Sequence, residues 1–564
     1  MEINYKKIDN NKLFKDFEKS EFLNLFNTQN YIPIYNNFFI LNEKNYNNIN
    51  LNNVNILSGI NYKINENIYN CIIDNSNIKI NKDVFFKLSG ILDPYKYLAG
   101  KYNLDDNIFI LPKLNNDKNI YKKVTLSNNS SYIDAFFSYL TSILLNKMNF
   151  IHGTDFYGSF IGIKNNYLLD ICDEIDSYSC NNFFQNHINK LFKFTNSDYE
   201  KIINNFSKSN KKSINIGEDL YDNSNLLITE LNISNLNKNN NFILENNEIN
   251  LEEIINFNKS CNNSNNSNNS SNSEYSSRSS NTNKSNNSDS NSDSNSDSNS
   301  DSNSESSSSS ELENIMISIN QFPIQIIALE KCKDTFDSLL TEDKITNEEL
   351  GCIIIQILMI LITYQKMFSF THNDLHTNNI MYIETDKVYL YYKINGKHYK
   401  VNTFGKIFKI IDFGRSIYKF KEKLMCSDSF NFDGDANTQY NFEPFYNKNK
   451  PFVEPNYSFD LCRLGCSIYD FISEKYENMK QIKNPIHKII INWCNDDDNR
   501  DILYKNNGEE RYPDFKLYKM ISRKVHNHKP INELQNSYFD KFIVPKKAIK
   551  KGSFIWNIDE LEHQ

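Results

Sequence analysis

The chain has 564 residues, 39% hydrophobic, 23% charged and 13% aromatic, enough for one elaborated domain or about two to four ordinary ones around a substantial core. A formal net charge of −8 argues against the basic face that wholesale nucleic-acid binding needs, and the low counts of glycine (15) and proline (11) exclude collagen-like and proline-rich chains. Asparagine makes up about one residue in six, a skew that an AT-rich coding sequence explains without invoking function.

Residues 1–50 are mixed and asparagine-rich and read as an N-terminal extension. Strand-like runs follow at 53–57, 68–73 and 84–88, rich in Ile, Val, Phe and Tyr and bounded by Asn, Asp and Gly, as in a small antiparallel sheet. Residues 132–148 (YIDAFFSYLTSILLNKM) repeat apolar positions at three and four, which predicts a helix capped by Ser130. DFYGSFIGI at 155–163 predicts a strand. The Ser/Asn/Asp tract at 258–311, with its DSNSDSNSDSNSDS core, has too little apolar content to offset its ordering entropy and is expected to be a disordered insertion. Its Asp-spaced serines are candidate phosphate acceptors, with simple repeat expansion as the plainer explanation. Order is expected again from Phe322: QIIALEK (325–331) as a strand, 335–340 as a short helix, and 348–368 as a long apolar helix buried on most sides.

The ten cysteines are scattered with no C-x-x-C pair, so neither a disulfide framework nor a zinc ribbon is indicated. Cys462 and Cys466 stand at helical spacing and, with no ligand pair nearby, read as buried thiols. The opening MEINYKKIDN lacks the apolar run of a signal peptide, and the longest apolar stretch, 352–363, is interrupted by Gln356 and too short for a bilayer. The expectation is a cytoplasmic protein with no membrane and no nucleic-acid partner. His526-Asn527-His528 spells HNH, but two polar residues after Tyr518 are better read as surface than as a nuclease centre.

Residues 371–381 read THNDLHTNNIM and 410–415 read IIDFGR, that is, H-x-D-L-x-x-x-N followed by D-F-G, behind a buried helix and with a strand at 406–411 feeding the second motif. The ordered pair resembles the catalytic loop and metal-binding triplet of protein kinases. The resemblance implies that Asp374 orients an acceptor hydroxyl and takes its proton, with His372 opening the loop. It implies that Asn379 and Asp412 hold Mg²⁺ through hard oxygen ligands. Asp374 and Asp412 lie 38 positions apart, about twice the family's spacing. Residues 388–401 (VYLYYKINGKHYKV) account for the excess as two β-rich runs around Asn395-Gly396, the signal of a type I′ hairpin.

The same resemblance assigns further positions. VFFK (84–87) resembles V-A-I-K, which makes Lys87 the phosphate-binding lysine; Lys122 and Lys123 are alternatives, and a surface lysine at a strand end is the plain one. The family pairs this lysine with a helix C glutamate, for which only Asp134 is available. The phosphate-covering loop should fall at 56–71, where only Gly59 remains of G-x-G-x-x-G, implying a weaker nucleotide grip or a differently shaped lid. Gly100-Lys101 is followed by Tyr102 and forms no P-loop. SFDLCRLGCSIYDF (458–471) resembles helix F, so Asp460 is expected to accept bonds from the catalytic-loop backbone. Adenine is expected against backbone near Leu329, Glu330 and Lys331, and only 453–455 approximates A-P-E.

The arrangement resembles the serine/threonine kinases encoded by large nucleocytoplasmic DNA viruses, over about residues 51–545 and most strongly over 320–475. That implies an α+β, bilobal protein-kinase-like fold, with an antiparallel-sheet N-lobe at 51–330 carrying the insertion and a mainly helical C-lobe at 331–564. It implies ATP and Mg²⁺, γ-phosphoryl transfer to a hydroxyl, foremost Ser/Thr of a protein substrate, and a host-cytoplasm or virion location if the source is viral. Two departures stand inside the loop. Asn373 replaces the arginine that clamps a phosphorylated activation loop, so activity independent of such phosphorylation is expected. His376 replaces the usual lysine, and H-x-D-L-H also resembles haspin-type, choline and aminoglycoside kinases. A pseudokinase scaffold, favoured by the sparse glycine loop, and a small-molecule kinase are the alternatives.

Overall fold

The computed structural model describes residues 1–196 and 315–564, apart from 77, 105–106, 116–119, 180 and 474–481. The Ser/Asn/Asp tract lies outside the described residues, as do Cys180 and Cys261. The fold is mixed α/β, with an antiparallel sheet and helices.

The strands of the main sheet follow the alternating apolar pattern. In chain order they are β1 (Leu25–Gln29), β2 (Asn55–Lys63), β3 (Ile68–Asn75), β4 (Ile78–Gly90), β5 (Phe156–Asp170), β6 (Phe192–Phe194) and β7 (Met316–Glu330). Among the described residues they form one seven-stranded antiparallel sheet in the order β1-β5-β7-β4-β3-β2, with β6 on β7. Successive side chains of a strand point to opposite faces. On β4 this sends Val84 and Phe86, both fully buried, to one face, and Lys87 and Ser89 to the other.

Helix α1 (Asn11–Glu18) covers the Phe86 face. Its Phe17 ring lies 6.1 Å from Phe86 and 5.4 Å from Phe160. Burial of one such phenyl group contributes about 1.5–3 kcal/mol. Since α1 packs on the sheet and β1 belongs to it, much of the N-terminal stretch read as an extension is built into the core. Helix α2 (Ser130–Met148) covers the Lys87 face, and Ser89 Oγ lies 2.9 Å from Ser131 Oγ. The α2 cap is Asn129 rather than Ser130: its side-chain oxygen accepts from the Ser131 N–H at 3.1 Å, leaving Ser130 as the first helical residue.

Helix α3 (Asn347–Phe368) is capped by Thr346, which accepts from the Glu349 N–H, and ends at Ser369 in the left-handed region (φ 48°). By length and composition it is apolar enough to cross a bilayer, with mean hydropathy 1.7 over its best window, against the expectation that the apolar run is too short. That window is 94% buried inside the fold, so core packing accounts for its apolarity. Strands β8 (Ile380–Glu384) and β11 (Lys406–Ile410) pair antiparallel beyond it. Between them stands the expected hairpin of β9 (Tyr389–Ile394) and β10 (Lys397–Asn402), turned by Asn395 and Gly396 at φ 51° and 72°. Positive φ at both central residues is the type I′ requirement. Strands β12 (Ile417–Phe420) and β13 (Lys423–Cys426) follow, then helices α4 (Phe459–Ile472) and α5 (Lys516–Lys524). Short strands β14 (Ile543–Val544) and β15 (Trp556–Asn557) flank the hairpin to make a second sheet.

Fully buried His152 ties the loop before β5 to both ribbons. Its Nδ1 donates to the Phe408 carbonyl (2.7 Å), so its Nε2 accepts from the Tyr392 hydroxyl (2.6 Å). Burial pushes its pKa from 6.5 down to about 4. Between those pH values the unfolded chain binds the proton that the folded protein refuses, so stability present above 6.5 is lost as pH falls toward 4. Thermal melts across this window should show a falling Tm, and His152→Gln should flatten the dependence by about one proton.

Candidate active site

The period of β4 aims Lys87 at α2, and the second turn of α2 presents Asp134. Lys87 Nζ lies 2.6 Å from Asp134 Oδ2 and 2.7 Å from Asp412 Oδ1. Asp134 uses its other oxygen to accept the Phe413 N–H at 2.9 Å. Aspartate reaches because α2 sits close: Ser131 Oγ donates to the Gly90 carbonyl at 2.8 Å, tying the helix start to the end of β4. Burial alone would lower the Lys87 pKa, but the two carboxylates outweigh it and hold the ammonium protonated. Lys123, the alternative lysine, is engaged elsewhere, at Asp428 (2.6 Å).

The loop after α3 is held by α4. Fully buried Asp460 accepts the His372 and Asn373 N–H groups, each at 2.9 Å. The His372 ring donates from Nε2 to the Ile411 carbonyl (2.9 Å) and accepts the Asp374 N–H at Nδ1 (3.3 Å). His372 and Asp460 thus bond only backbone here and act as positioning residues. Asn373 stands at φ 65°, a region asparagine tolerates, and its side chain bonds inward to Thr371, the Arg415 carbonyl and the Tyr440 hydroxyl. Asn379 donates to the Asp374 carbonyl (2.9 Å), and its own carbonyl accepts the Ile411 N–H (3.0 Å) beside the Ile380–Ile410 pair of the β8–β11 ribbon. Asp374, Asn379 and Asp412 therefore stand on loops cross-bonded at the end of one ribbon. Asp412 is itself left-handed (φ 64°), a strained conformation of the kind that collects at functional sites.

Three residues not anticipated from sequence surround Asp374. The Tyr518 hydroxyl on α5 donates to Oδ1 at 2.6 Å, Arg415 Nη1 lies 3.4 Å from Oδ2, and Arg463 Nε donates to the Tyr518 hydroxyl at 2.9 Å. Burial would push the Asp374 carboxyl up; Arg415, with Arg463 and the Tyr518 hydrogen bond, holds it below the usual carboxylate range. His376 is held neutral by burial, its pKa near 4, and its Nε2 accepts from the Asn379 amide (3.1 Å). Fixed positive charge beside Asp374 thus comes from the two arginines. Arg415 directly follows D-F-G, a position at which it could have been read; Arg463 and Tyr518 carry no local signal.

The remaining assigned residues divide. Leu329 and Glu330 lie within the β4–β7 ladder, opposite Phe85 and Val84, and the Glu330 N–H is taken by the Asp155 carbonyl (2.9 Å). Only Lys331 stands past the strand end, its side chain 3.2 Å from Asp83. Gly59 lies inside β2, not in the β2–β3 turn, and a Cβ there would meet Ile72 and the Asp16 carboxylate of α1 at 3.5 and 3.6 Å. It joins none of the site's contacts. Cys462, Cys466 and Cys494 are buried free thiols. His526 and His528 follow α5 and pair separately with Asp497 and Glu533; His528 is buried rather than at the surface.

Among the described residues no group of three or more His, Cys, Asp or Glu side chains is arranged to hold a metal. The donor set fits a shared ion instead. The Asn379 amide nitrogen is committed to Asp374 and His376, which leaves its oxygen as the atom able to ligate, on a loop whose backbone bonds that of Ile411, next to Asp412 in the chain. Two hard oxygens suit Mg²⁺ whose other ligands are phosphates and water.

The segment after D-F-G is clamped by a carboxylate. Asp428 bonds Lys123 (2.6 Å) and accepts the Ser130 N–H at the start of α2 (2.9 Å). A fixed negative charge at a helix N-terminus is favourable. If the chain is a phosphotransferase, phosphatase treatment should leave its turnover unchanged, whereas Asp428→Ala should depress it several-fold by loosening α2 and the Asp134–Lys87 contact; a large loss on dephosphorylation counts against this. No family model matches the chain, and no curated protein matches it.

Proposed function

We propose that the chain is a protein-kinase-like phosphotransferase of bilobal architecture, moving the γ-phosphoryl group of ATP to a hydroxyl, foremost Ser/Thr on protein. The sheet part and the helical part are the two lobes in this reading, and the kinship is with serine/threonine kinases of large DNA viruses. The observation that carries it is Lys87 held between Asp134 and Asp412, with the loop bearing Asp374 and Asn379 fixed beside Asp412. Asp374, ionised at neutral pH, orients the acceptor hydroxyl and receives its proton. Lys87 neutralises phosphate charge, and Asn379 and Asp412 would hold Mg²⁺, which supplies charge neutralisation to the β- and γ-phosphates when bound. Asp460 and His372 fix the loop so that little reorganisation is left to the reaction.

Incubation with radiolabelled ATP, Mg²⁺ and a hydroxyl-bearing peptide library tests the reading. Peptide labelling that disappears in Asp412→Asn supports it. ATP turnover without peptide labelling would move the acceptor to a small molecule, and no turnover at all would leave a scaffold. Gly59 packed beside Asp16, away from the site's contacts, is the one observation favouring the scaffold.

A further inference from the structure

Arg463 is a half-buried guanidinium on α4 whose Nε is spent on the Tyr518 hydroxyl. Its two terminal nitrogens make no hydrogen bond among the described residues. An unpaired, half-buried guanidinium whose terminal N–H groups reach the surface suits bidentate pairing with an oxyanion. Arg463 also lies against the acceptor end of the site, one hydrogen bond from the group that contacts Asp374. The Tyr518 ring is fixed there, with the Arg415 and Arg463 guanidiniums 5.7 and 5.2 Å from its centroid and the Phe515 ring stacked at 5.3 Å. Arg415 is paired with Asp435 (2.7 Å) and lies 3.4 Å from Asp374, whereas Arg463 acts on Asp374 only at longer range and has no ion pair among the described residues, so its terminal nitrogens are the ones able to take an anion. Helix α5, which carries Tyr518, adds Lys516, Lys519, Arg523 and Lys524 and no acidic residue.

We infer that Arg463, supported by the basic α5 helix, forms an acceptor-side anion subsite, so that the substrate is a serine or threonine hydroxyl flanked by carboxylates. This rests on the phosphotransfer reading and adds the acceptor's chemical class to it. In the transfer the acceptor oxygen bonds to the γ-phosphorus, the bond from that phosphorus to the β–γ bridging oxygen breaks, ADP leaves, and the hydroxyl proton passes to Asp374 and then to solvent. The chain's own sequence contains serines of this kind, spaced by aspartates at 289–302. That sequence serves as the probe.

The test compares the peptide DSNSDSNSDSNSDS with counterparts in which every Asp is Asn or Lys, using full-length protein, ATP and Mg²⁺. Labelling of the acidic peptide is expected with kcat/KM at least tenfold above the lysine form and with KM rising as salt is added. Arg463→Gln should raise the acidic peptide's KM about tenfold and leave the KM for ATP in place, which also shows that the variant is folded. Binding by fluorescence anisotropy, read without turnover, separates the two claims. Equal or better labelling of the lysine peptide overturns the acidic acceptor while phosphotransfer stands. Salt-sensitive binding of the acidic peptide that needs Arg463 but is never followed by labelling upholds the subsite and overturns the transfer. Absence of both binding and labelling overturns the subsite.

Discussion

On the proposed phosphotransfer reading, Asp374→Asn is expected to lower kcat by about three orders of magnitude, within the range typical of a positioned general base, while ATP·Mg²⁺ still raises the Tm. The amide keeps the size of the carboxylate and an oxygen for the Tyr518 hydroxyl, so the loop held by Asp460 has no cause to move. It loses the charge that faces Arg415 and the capacity to take a proton. Because the arginines hold the Asp374 carboxyl below the usual range, the wild-type carboxylate is ionised through the whole neutral region, and the acid limb of the proposed transfer should fall below the ordinary carboxylate pKa. Tyr518→Phe removes one of the groups that depress it and should move that limb upward. Steady-state label transfer and its pH profile check both. A variant at Asp374 that transfers label at near the wild-type rate would place the base elsewhere.

Lys409→Met is expected to destabilise the fold by about 3–5 kcal/mol, the range for breaking a buried ion pair by removing one partner. Lys409 lies on β11 with its side chain 1% exposed, and its ammonium bonds Glu330 and the Gly153 carbonyl. Glu330 in turn accepts the Asp155 N–H at 2.9 Å. The end of β7, the turn before β5 and the strand leading to D-F-G are therefore joined at one buried charge pair. Methionine fills similar space but leaves the Glu330 carboxylate without its cation. Partial access of water to Glu330, 17% exposed, argues for the lower end of the range. Urea denaturation at neutral pH measures the loss, and adding Glu330→Gln should recover part of it, because an uncharged pair no longer strands a buried charge. Equal stability of the single variant and the wild type would remove this pair from the forces joining β7, the turn before β5 and β11.

Contiguous patterns were legible and distant ones were not. The residues around Asp374, Asn379 and Asp412 could be read because each motif is local, and the intervening hairpin could be read because Asn395-Gly396 satisfies a turn that few residue pairs can. Asp134 was legible as the sole early carboxylate of its helix. Asn129 was missed because Asn, Asn, Ser and Ser stand in succession there and several could cap; only the backbone geometry decides. Gly59 was read as part of a phosphate lid, yet what faces it is Asp16, from a helix whose apolar positions Leu13 and Phe17 were masked by the polar composition of the first fifty residues. Tyr518 was beyond reach: it meets Asp374 across 144 residues of sequence, and nothing near it in the chain marks its partner.

The bond set of Asp428 has a consequence for control. An ester of phosphoric acid can be written and erased by other enzymes, whereas an encoded carboxylate is present from synthesis and cannot be stripped off. On the proposed reading, this contact keeps the segment after D-F-G docked against α2 throughout the protein's lifetime, with no off position. Restraint would then have to come from how much of the protein is made, where it meets its target, or how soon it is destroyed.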